Sequence, residues 1–79
     1  KIMAYQETVV KEFESMGING KYKCRLIKDM KGNLVIDIRE YVESDTYTGF
    51  TKKGVRLGWS DLQLLEKIVP EIIEIMDKE

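Results

Sequence analysis

The 79-residue chain has no histidine, one cysteine and one proline. The lone Cys24 cannot form a disulfide within the chain, and we expect it to be a small packed residue. One cysteine without histidine does not supply the ligands of a zinc site. There is no histidine base, and the serines at 15, 44 and 60 lie in no nucleophile motif. The glycines form no phosphate-cradling loop. We therefore predict no metal, no cofactor and no enzymatic activity.

Long apolar segments are also absent. No run approaches the 20 or so residues of a membrane-spanning helix, and there is no signal-peptide layout. These absences predict an intracellular protein of the cytoplasm or nucleoid, or of the nucleus in a eukaryote, with no membrane partner. Because the sequence begins at Lys1 rather than methionine, we expect native residues to precede it. A chain this short is near the lower limit for a self-sufficient core, which predicts one domain that completes its burial in an oligomer.

The net charge of −1 is nearly balanced, but the charges are unevenly distributed. Residues 21–56 contain nine basic and five acidic residues, a net charge of +4. The remainder contains four basic and nine acidic residues, a net charge of −5. This asymmetry suggests a basic face on the middle segment, and ordinary solvated charge explains it equally well.

The most regular pattern is NLVIDIREYV at residues 33–42, where apolar and polar residues alternate. Alternation predicts a strand with one apolar and one polar face, and its length predicts a central position in the sheet. Asp37 and Glu40 then lie on opposite faces and cannot act as a catalytic carboxylate pair. We expect Glu40, on the apolar side near the strand end, to pair with a lysine or reach water.

The N-terminal third is less regular. Apolar residues spaced by three and four predict a helix over residues 2–16, although the β-branched Val9-Val10 pair leaves a strand from Thr8 open. Residues 16–19 are interpreted as a short first strand, and Asn19-Gly20 predicts a turn or a bulge.

The remaining sheet elements are predicted by short patterns. Residues 21–30 predict a strand in their first part, and residues 29–33 a tight turn that makes an antiparallel hairpin with the central strand. Residues 43–51 are interpreted as a polar connection, and residues 52–57 as a short last strand.

A C-terminal helix is predicted over residues 60–78. Ser60 and Gln63 have the form of a capping box, and Pro70 predicts a kink or a restart. More than one side of this helix is apolar, so one side can cover the sheet while the other meets a partner. The predicted dimer interface is Leu64, Ile68, Ile72 and Ile75.

The predicted fold class is α+β in a single domain. It consists of a small curved four-stranded antiparallel sheet over residues 17–57, followed by the helix over residues 60–78. Residues 1–16 form an N-terminal extension with the additional helix.

The central strand and its neighbours resemble a known family. The sequence VIDIREY at 35–41, then KKGVRL at 52–57 and a helix, resembles the positive-cofactor-four family of transcriptional coactivators. Gly-Lys at 20–21 and KDMKG at 28–32 resemble that family's preceding strand and turn. The resemblance covers residues 16–76. It implies a homodimer of curved four-stranded sheets, held together by the C-terminal helices, that binds single-stranded DNA with little sequence preference along basic, aromatic-lined channels.

The resemblance also implies which residues contact DNA. The positions that match the family's basic DNA-contacting residues are Lys21, Lys28, Arg39, Lys52 and Lys53. Lys31 and Arg56 join this set only because they are basic in the same region. Tyr47 and Phe50 are aromatic residues in a polar segment, and they either stack on bases or fold back over the sheet edge.

Two positions depart from the family pattern. Val42 stands where the family often has an aromatic residue, and Met30 stands where it has a phenylalanine. Base–aromatic stacking is worth roughly 1–3 kcal/mol per base, so both departures predict weaker binding unless Tyr41, Tyr47 and Phe50 compensate.

The resulting hypothesis is a homodimeric single-stranded DNA-binding protein that acts in transcription, replication or recombination, with proteins of those processes as further partners. A single strand presents phosphates and unstacked bases, which basic side chains and aromatic faces bind. RNA is not distinguished from DNA, because that depends on 2′-hydroxyl contacts. The alternative is a protein–protein interaction module whose basic surface binds an acidic partner.

Overall fold

The structure, a computed structural model, describes residues 6–79. The elements are β1 Thr8–Met16, a 3-10 turn Ile18–Gly20, β2 Tyr22–Lys28, β3 Leu34–Glu43, β4 Thr48–Leu57 and α1 Trp59–Asp77. The four strands form an antiparallel sheet in the order β1-β2-β3-β4, and the sheet is not closed. The α+β prediction, a four-stranded antiparallel sheet followed by a helix, is therefore confirmed.

The strand predicted at residues 33–42 is confirmed as β3, Leu34–Glu43. It pairs with β2 on one side and β4 on the other, so it lies in the interior of the sheet as expected. The predicted hairpin between β2 and β3 is also confirmed. In its turn, Asp29 Oδ1 accepts hydrogen bonds from the backbone N–H groups of Lys31 and Asn33, each at 2.9 Å. Gly32 adopts φ +85°, a conformation that glycine reaches without steric cost.

The predicted N-terminal helix is wrong where the structure describes it. Thr8–Met16 is the edge strand β1, which confirms the alternative of a strand from Thr8; residues 2–5 of the predicted helix lie outside the described residues. Because β1 has one neighbour and almost no burial, its apolar residues do not alternate, and Val9 and Phe13 match a helical spacing by chance. Register shifts after Val9 and after Phe13 disturb the alternation further.

The short strand predicted at residues 16–19 is also wrong. This segment is the 3-10 turn between β1 and β2, where Gly17 and Asn19 have φ values of +85° and +60°. Those values are incompatible with an extended strand. Of the turn and the bulge that Asn19-Gly20 left open, the turn is confirmed.

Strand β4 is longer than predicted, because it begins at Thr48 rather than at residue 52. Opposite Glu40, its pairing register with β3 shifts, with Arg39 facing Gly54 and Tyr41 facing Phe50. This irregularity divides β4 into two short runs with no common alternation, so the first run looks like a connection in the sequence.

Helix α1 begins at Trp59, and Gly58 is its N-cap residue. The Gly58 backbone N–H donates to the carboxylate of Asp61 at 3.0 Å. The capping box predicted at Ser60 is therefore wrong by two residues, since Ser60 already lies in the first turn. The helix continues through Pro70 and does not restart there.

Contrary to the prediction, the helix does not cover the sheet. No residue of α1 is buried, and its contacts with the sheet are mainly with β4. The buried apolar side chains among the described residues are Cys24 and Ile27, so Cys24 is the packed residue that we expected. In the part of the chain that the structure describes, no helix is long and apolar enough to cross a membrane.

Candidate nucleic-acid interface

The strand register assigns side chains to two sheet faces, because directly opposed residues in antiparallel strands point the same way. One face, which we call the arginine face, carries Lys23, Arg25, Asp37, Arg39, Tyr41, Phe50 and Arg56. The other, the apolar face, carries Cys24, Leu26, Ile36, Ile38, Val55 and Leu57. The alternation in β3 thus predicts the two faces correctly, apart from Val35, which pairs with the buried Ile27 on the arginine face, and Glu40, which lies on the apolar face.

Asp37 is the centre of the arginine face. Its carboxylate has no exposed surface and forms ion pairs with three guanidinium groups. Arg39 donates from Nε and Nη2 to Asp37 Oδ1 at 3.1 and 3.0 Å. Arg56 Nε donates to the same oxygen at 3.0 Å, and Arg25 Nη2 donates to Oδ2 at 3.3 Å. One carboxylate therefore orients three cations whose joint charge with it is +2.

The arginines also decide the protonation state of Asp37. Burial alone raises the pKa of this carboxyl, but hydrogen bonds from Arg39, Arg56 and Arg25 lower it by more, so the pKa lies below its ordinary value. Asp37 is therefore ionised at neutral pH. Charge-assisted hydrogen bonds to this buried, ionised carboxylate hold the three guanidinium groups in defined positions.

Two aromatic rings lie beside the cluster, each facing a cation. The guanidinium carbon of Arg25 is 4.0 Å from the centroid of the Phe50 ring, and Lys23 Nζ is 4.7 Å from that of Tyr41. The two rings meet edge to face, with centroids 5.0 Å apart and an interplanar angle of 76°. These distances are those of cation–π and aromatic pairs. Arg25 Nε is buried there and has no hydrogen-bond partner among residues 6–79.

The irregularity in β4 presents two exposed lysines, Lys52 and Lys53, next to Gly54. Thr51 Oγ1 donates to Glu40 Oε1 at 3.0 Å and accepts from the Lys53 backbone N–H at 3.0 Å. A side chain at Gly54 would place Cβ only 2.5 Å from the backbone oxygen of Ile38. Close backbone approach therefore explains the glycine of the KKG sequence.

Glu40 has the partners expected of it. Lys21 Nζ lies 3.4 Å from Glu40 Oε2, which confirms the predicted pairing with a lysine. The hydrogen bond from Thr51 is the main reason that the pKa of Glu40 lies below its ordinary value, and Lys21 and Lys53 lower it further against the effect of burial. Glu40 and Asp37 lie on opposite faces, as predicted, so they do not act on a common substrate atom.

The structure brings together only some of the predicted site residues. Arg39, Phe50 and Arg56 lie together on the arginine face, and Lys52 and Lys53 follow in the irregular part of β4. The other predicted residues lie elsewhere. Lys21 is paired with Glu40, Lys28 and Lys31 are at the β2–β3 turn, and Tyr47 lies in the β3–β4 turn.

Tyr47 has a local role that the sequence did not predict. Its hydroxyl donates to the backbone oxygen of Phe50 at 2.5 Å, and its ring would meet a Cβ at Gly49. Tyr47 is still about half exposed. The same turn is closed by Ser44, whose Oγ accepts from the Tyr47 backbone N–H at 3.1 Å.

The sequence prediction missed three members of the arginine face, namely Lys23, Arg25 and Asp37, as parts of one site, and it named Tyr41 only as a substitute for the absent family aromatics. The sequence did indicate that Lys23 and Arg25 share one face of their strand, and that Asp37 and Arg39 share one face of theirs, because residues two apart in a strand point the same way. Joining the two pairs required the β2–β3 register, which pairs Arg25 with Asp37 and Lys23 with Arg39.

The predicted dimer residues are available on the helix surface. Leu64, Ile72 and Ile75 are 55%, 43% and 55% exposed, and Ile68 is half-buried. Among the described residues, no group of three acidic, cysteine or histidine side chains is arranged to hold a metal ion.

Comparisons with protein-family models, curated proteins and solved structures find no match to this chain.

Proposed function

We propose that the protein binds single-stranded DNA through the arginine face and the adjoining lysines of β4, and that it does so as a homodimer. The observation that carries the proposal is the combination of two aromatic rings with the cluster of Arg25, Arg39 and Arg56 on one sheet face. Guanidinium groups bind phosphates, and aromatic or guanidinium planes stack on unpaired bases without reading their sequence. The resemblance of VIDIREY and KKG to positive-cofactor-four coactivators supports the same function in transcription, replication or recombination.

Single strands fit this surface better than duplex DNA. Stacking on aromatic rings or guanidinium planes needs bases that are free to leave their neighbours, which a duplex does not offer. Because Asp37 fixes the guanidinium groups before any ligand arrives, little ordering of these side chains accompanies binding.

A second candidate function is binding of an acidic protein partner. It is favoured by one contact, because Arg56 already holds the carboxylate of Glu7, at Nη1–Oε2 and Nη2–Oε1 distances of 2.5 and 2.8 Å. The same two donors of Arg56 would accept a carboxylate of an acidic partner.

The test is fluorescence anisotropy with a labelled oligo-dT strand, a duplex of equal length and an acidic peptide, each over a salt series. We expect preference for the single strand and a linear fall of log affinity with log salt, at about 0.7 per phosphate contact. Equal or tighter binding of the acidic peptide would support the second candidate, and no binding at low salt would contradict both.

Two double variants locate the site. Lys52→Ala/Lys53→Ala removes two cations beside the arginine face, and we expect the salt slope to fall by about 1.4 with weaker binding at low salt. Lys28→Ala/Lys31→Ala removes the same charge from the β2–β3 turn and is the matched control, with a smaller effect. If the first variant bound oligo-dT as tightly as the unmodified chain, the assigned site would be wrong.

A further inference from the structure

Arg56 differs from the other two arginines of the cluster in its exposure and in the partners of its guanidinium nitrogens. Its side chain is 36% exposed, against 18% for Arg25 and 19% for Arg39. Nε is bound to Asp37, which leaves Nη1 and Nη2 as a fork of two donors that Asp37 does not use. That fork has the planar two-donor geometry that matches a carboxylate or a phosphate.

The fork is occupied by Glu7, which immediately precedes β1 at the opposite edge of the sheet. Three strand spacings of about 4.8 Å separate β1 from β4. The Glu7–Arg56 pair therefore spans the width of the arginine face, and both of its carboxylate oxygens accept from the fork. The hydrogen bond from Arg56 lowers the pKa of Glu7 below its ordinary value, so the carboxylate is ionised at neutral pH.

We infer that Glu7 is an intramolecular competitor for the phosphate-binding fork of Arg56, and that a nucleic-acid phosphate must displace its carboxylate to bind there. This inference rests on the proposed function. It adds that the affinity of the arginine face is set by an acidic residue of the same chain.

Displacement leaves the cluster intact. Asp37 keeps its hydrogen bond with Arg56 Nε, so the fork stays oriented when Glu7 leaves. Glu7 is itself about one-third exposed and lies outside the strand, so its released carboxylate returns to water rather than to a buried site. Replacement of the Glu7 carboxylate by a phosphate on the same two donors therefore leaves no buried polar group without a hydrogen bond.

The test compares Glu7→Gln with Glu14→Gln, measured by anisotropy with oligo-dT at low salt. Glu14 lies on β1, is exposed and has no ion pair among the described residues, so its variant has the same change of net charge. We expect Glu7→Gln to bind about fivefold more tightly than Glu14→Gln, because a partly exposed ion pair is worth at most about this factor in an equilibrium constant. The gain should vanish when Arg56→Ala is added.

The opposite result would mean that the Glu7–Arg56 ion pair only stabilises the fold. In that case Glu7→Gln would bind oligo-dT no more tightly than Glu14→Gln, and a lowered melting temperature would accompany any weakening. A gain that persists in the Arg56→Ala background would also overturn the inference, because the competition would then not act through the fork.

A second readout separates this inference from the proposed function. If neither the unmodified chain nor Glu7→Gln binds oligo-dT, the proposed function fails, and the inference is decided by NMR titration of the Arg56 Nε–H resonance with pyrophosphate. A response at lower pyrophosphate concentration in Glu7→Gln than in Glu14→Gln would support competition for the fork. Equal responses would overturn it.

Discussion

At the scale of single residues, Asp37 decides the chemistry of the arginine face. A buried carboxylate is costly to desolvate, and three guanidinium groups close together repel one another. The attraction between the carboxylate and the guanidinium groups offsets both costs. With Asp37 in place the arginines are held at hydrogen-bonding distance with an excess of positive charge. Without it, three cations would share one small region of the sheet.

The first prediction concerns the removal of this charge. Asp37→Asn keeps the size of the side chain but leaves the arginines without their common anion, so we expect a loss of about 3–5 kcal/mol in the free energy of unfolding. The measurement is urea denaturation followed by circular dichroism. Because the pKa of Asp37 is depressed in the folded state, the stabilisation is present above the unfolded value near pH 4 and is lost as the pH falls through the folded pKa.

The matched control is Asp45→Asn, which removes the same charge from the exposed β3–β4 turn. We expect it to change the unfolding free energy by no more than about 0.5 kcal/mol. Equal stability of the Asp37→Asn and Asp45→Asn variants would show that the cluster does not hold the sheet together.

At the scale of elements, β4 depends on a close approach to β3. Gly54 faces Arg39, and a Cβ there would lie 2.5 Å from Ile38 O and 2.9 Å from Arg39 Cα, both backbone atoms. Backbone atoms of a central strand cannot move aside cheaply, so the KKG sequence is constrained by packing as well as by any contact with a ligand.

The prediction for this element is that Gly54→Ala destabilises the fold by about 1–3 kcal/mol, the usual cost of overpacking. Thermal unfolding by circular dichroism measures it. Gly58→Ala is the control, because a Cβ at Gly58 meets no atom within 4 Å. A melting temperature for Gly54→Ala at or above that of Gly58→Ala would contradict the predicted backbone clash.

The elements also show what the sequence can and cannot predict. In β3, Ile36 and Ile38 lie on the apolar face and Asp37 and Arg39 on the arginine face, so the two faces are visible in the sequence as a period of two. In β1 both faces are exposed, and no such constraint exists. The residues of the arginine face come from three strands whose register is a property of the folded sheet, so the cluster around Asp37 could not be assembled from spacing alone.

At the scale of the whole molecule, the single chain is more open than a compact domain of its length. Its radius of gyration is 15.5 Å, whereas a compact domain of this length has about 12 Å. The helix leaves Leu64, Ile72 and Ile75 largely exposed, and Val55 on the apolar face is about half exposed. Among residues 6–79 the buried apolar side chains are few compared with the conformational entropy that ordering the chain costs, which favours a second copy as the cover.

The last prediction is therefore that the protein self-associates through α1. Sedimentation equilibrium should give twice the chain mass of 9.2 kDa, and the melting temperature should rise with protein concentration. Ile72→Asp introduces a charge into the proposed interface and should raise the dimer dissociation constant on the order of tenfold or more, equivalent to about 1.4 kcal/mol. Gln63→Asp adds the same charge on a different side of the helix and should leave the constant nearly unchanged. A monomeric mass at all concentrations, with a melting temperature independent of concentration, would contradict self-association through α1.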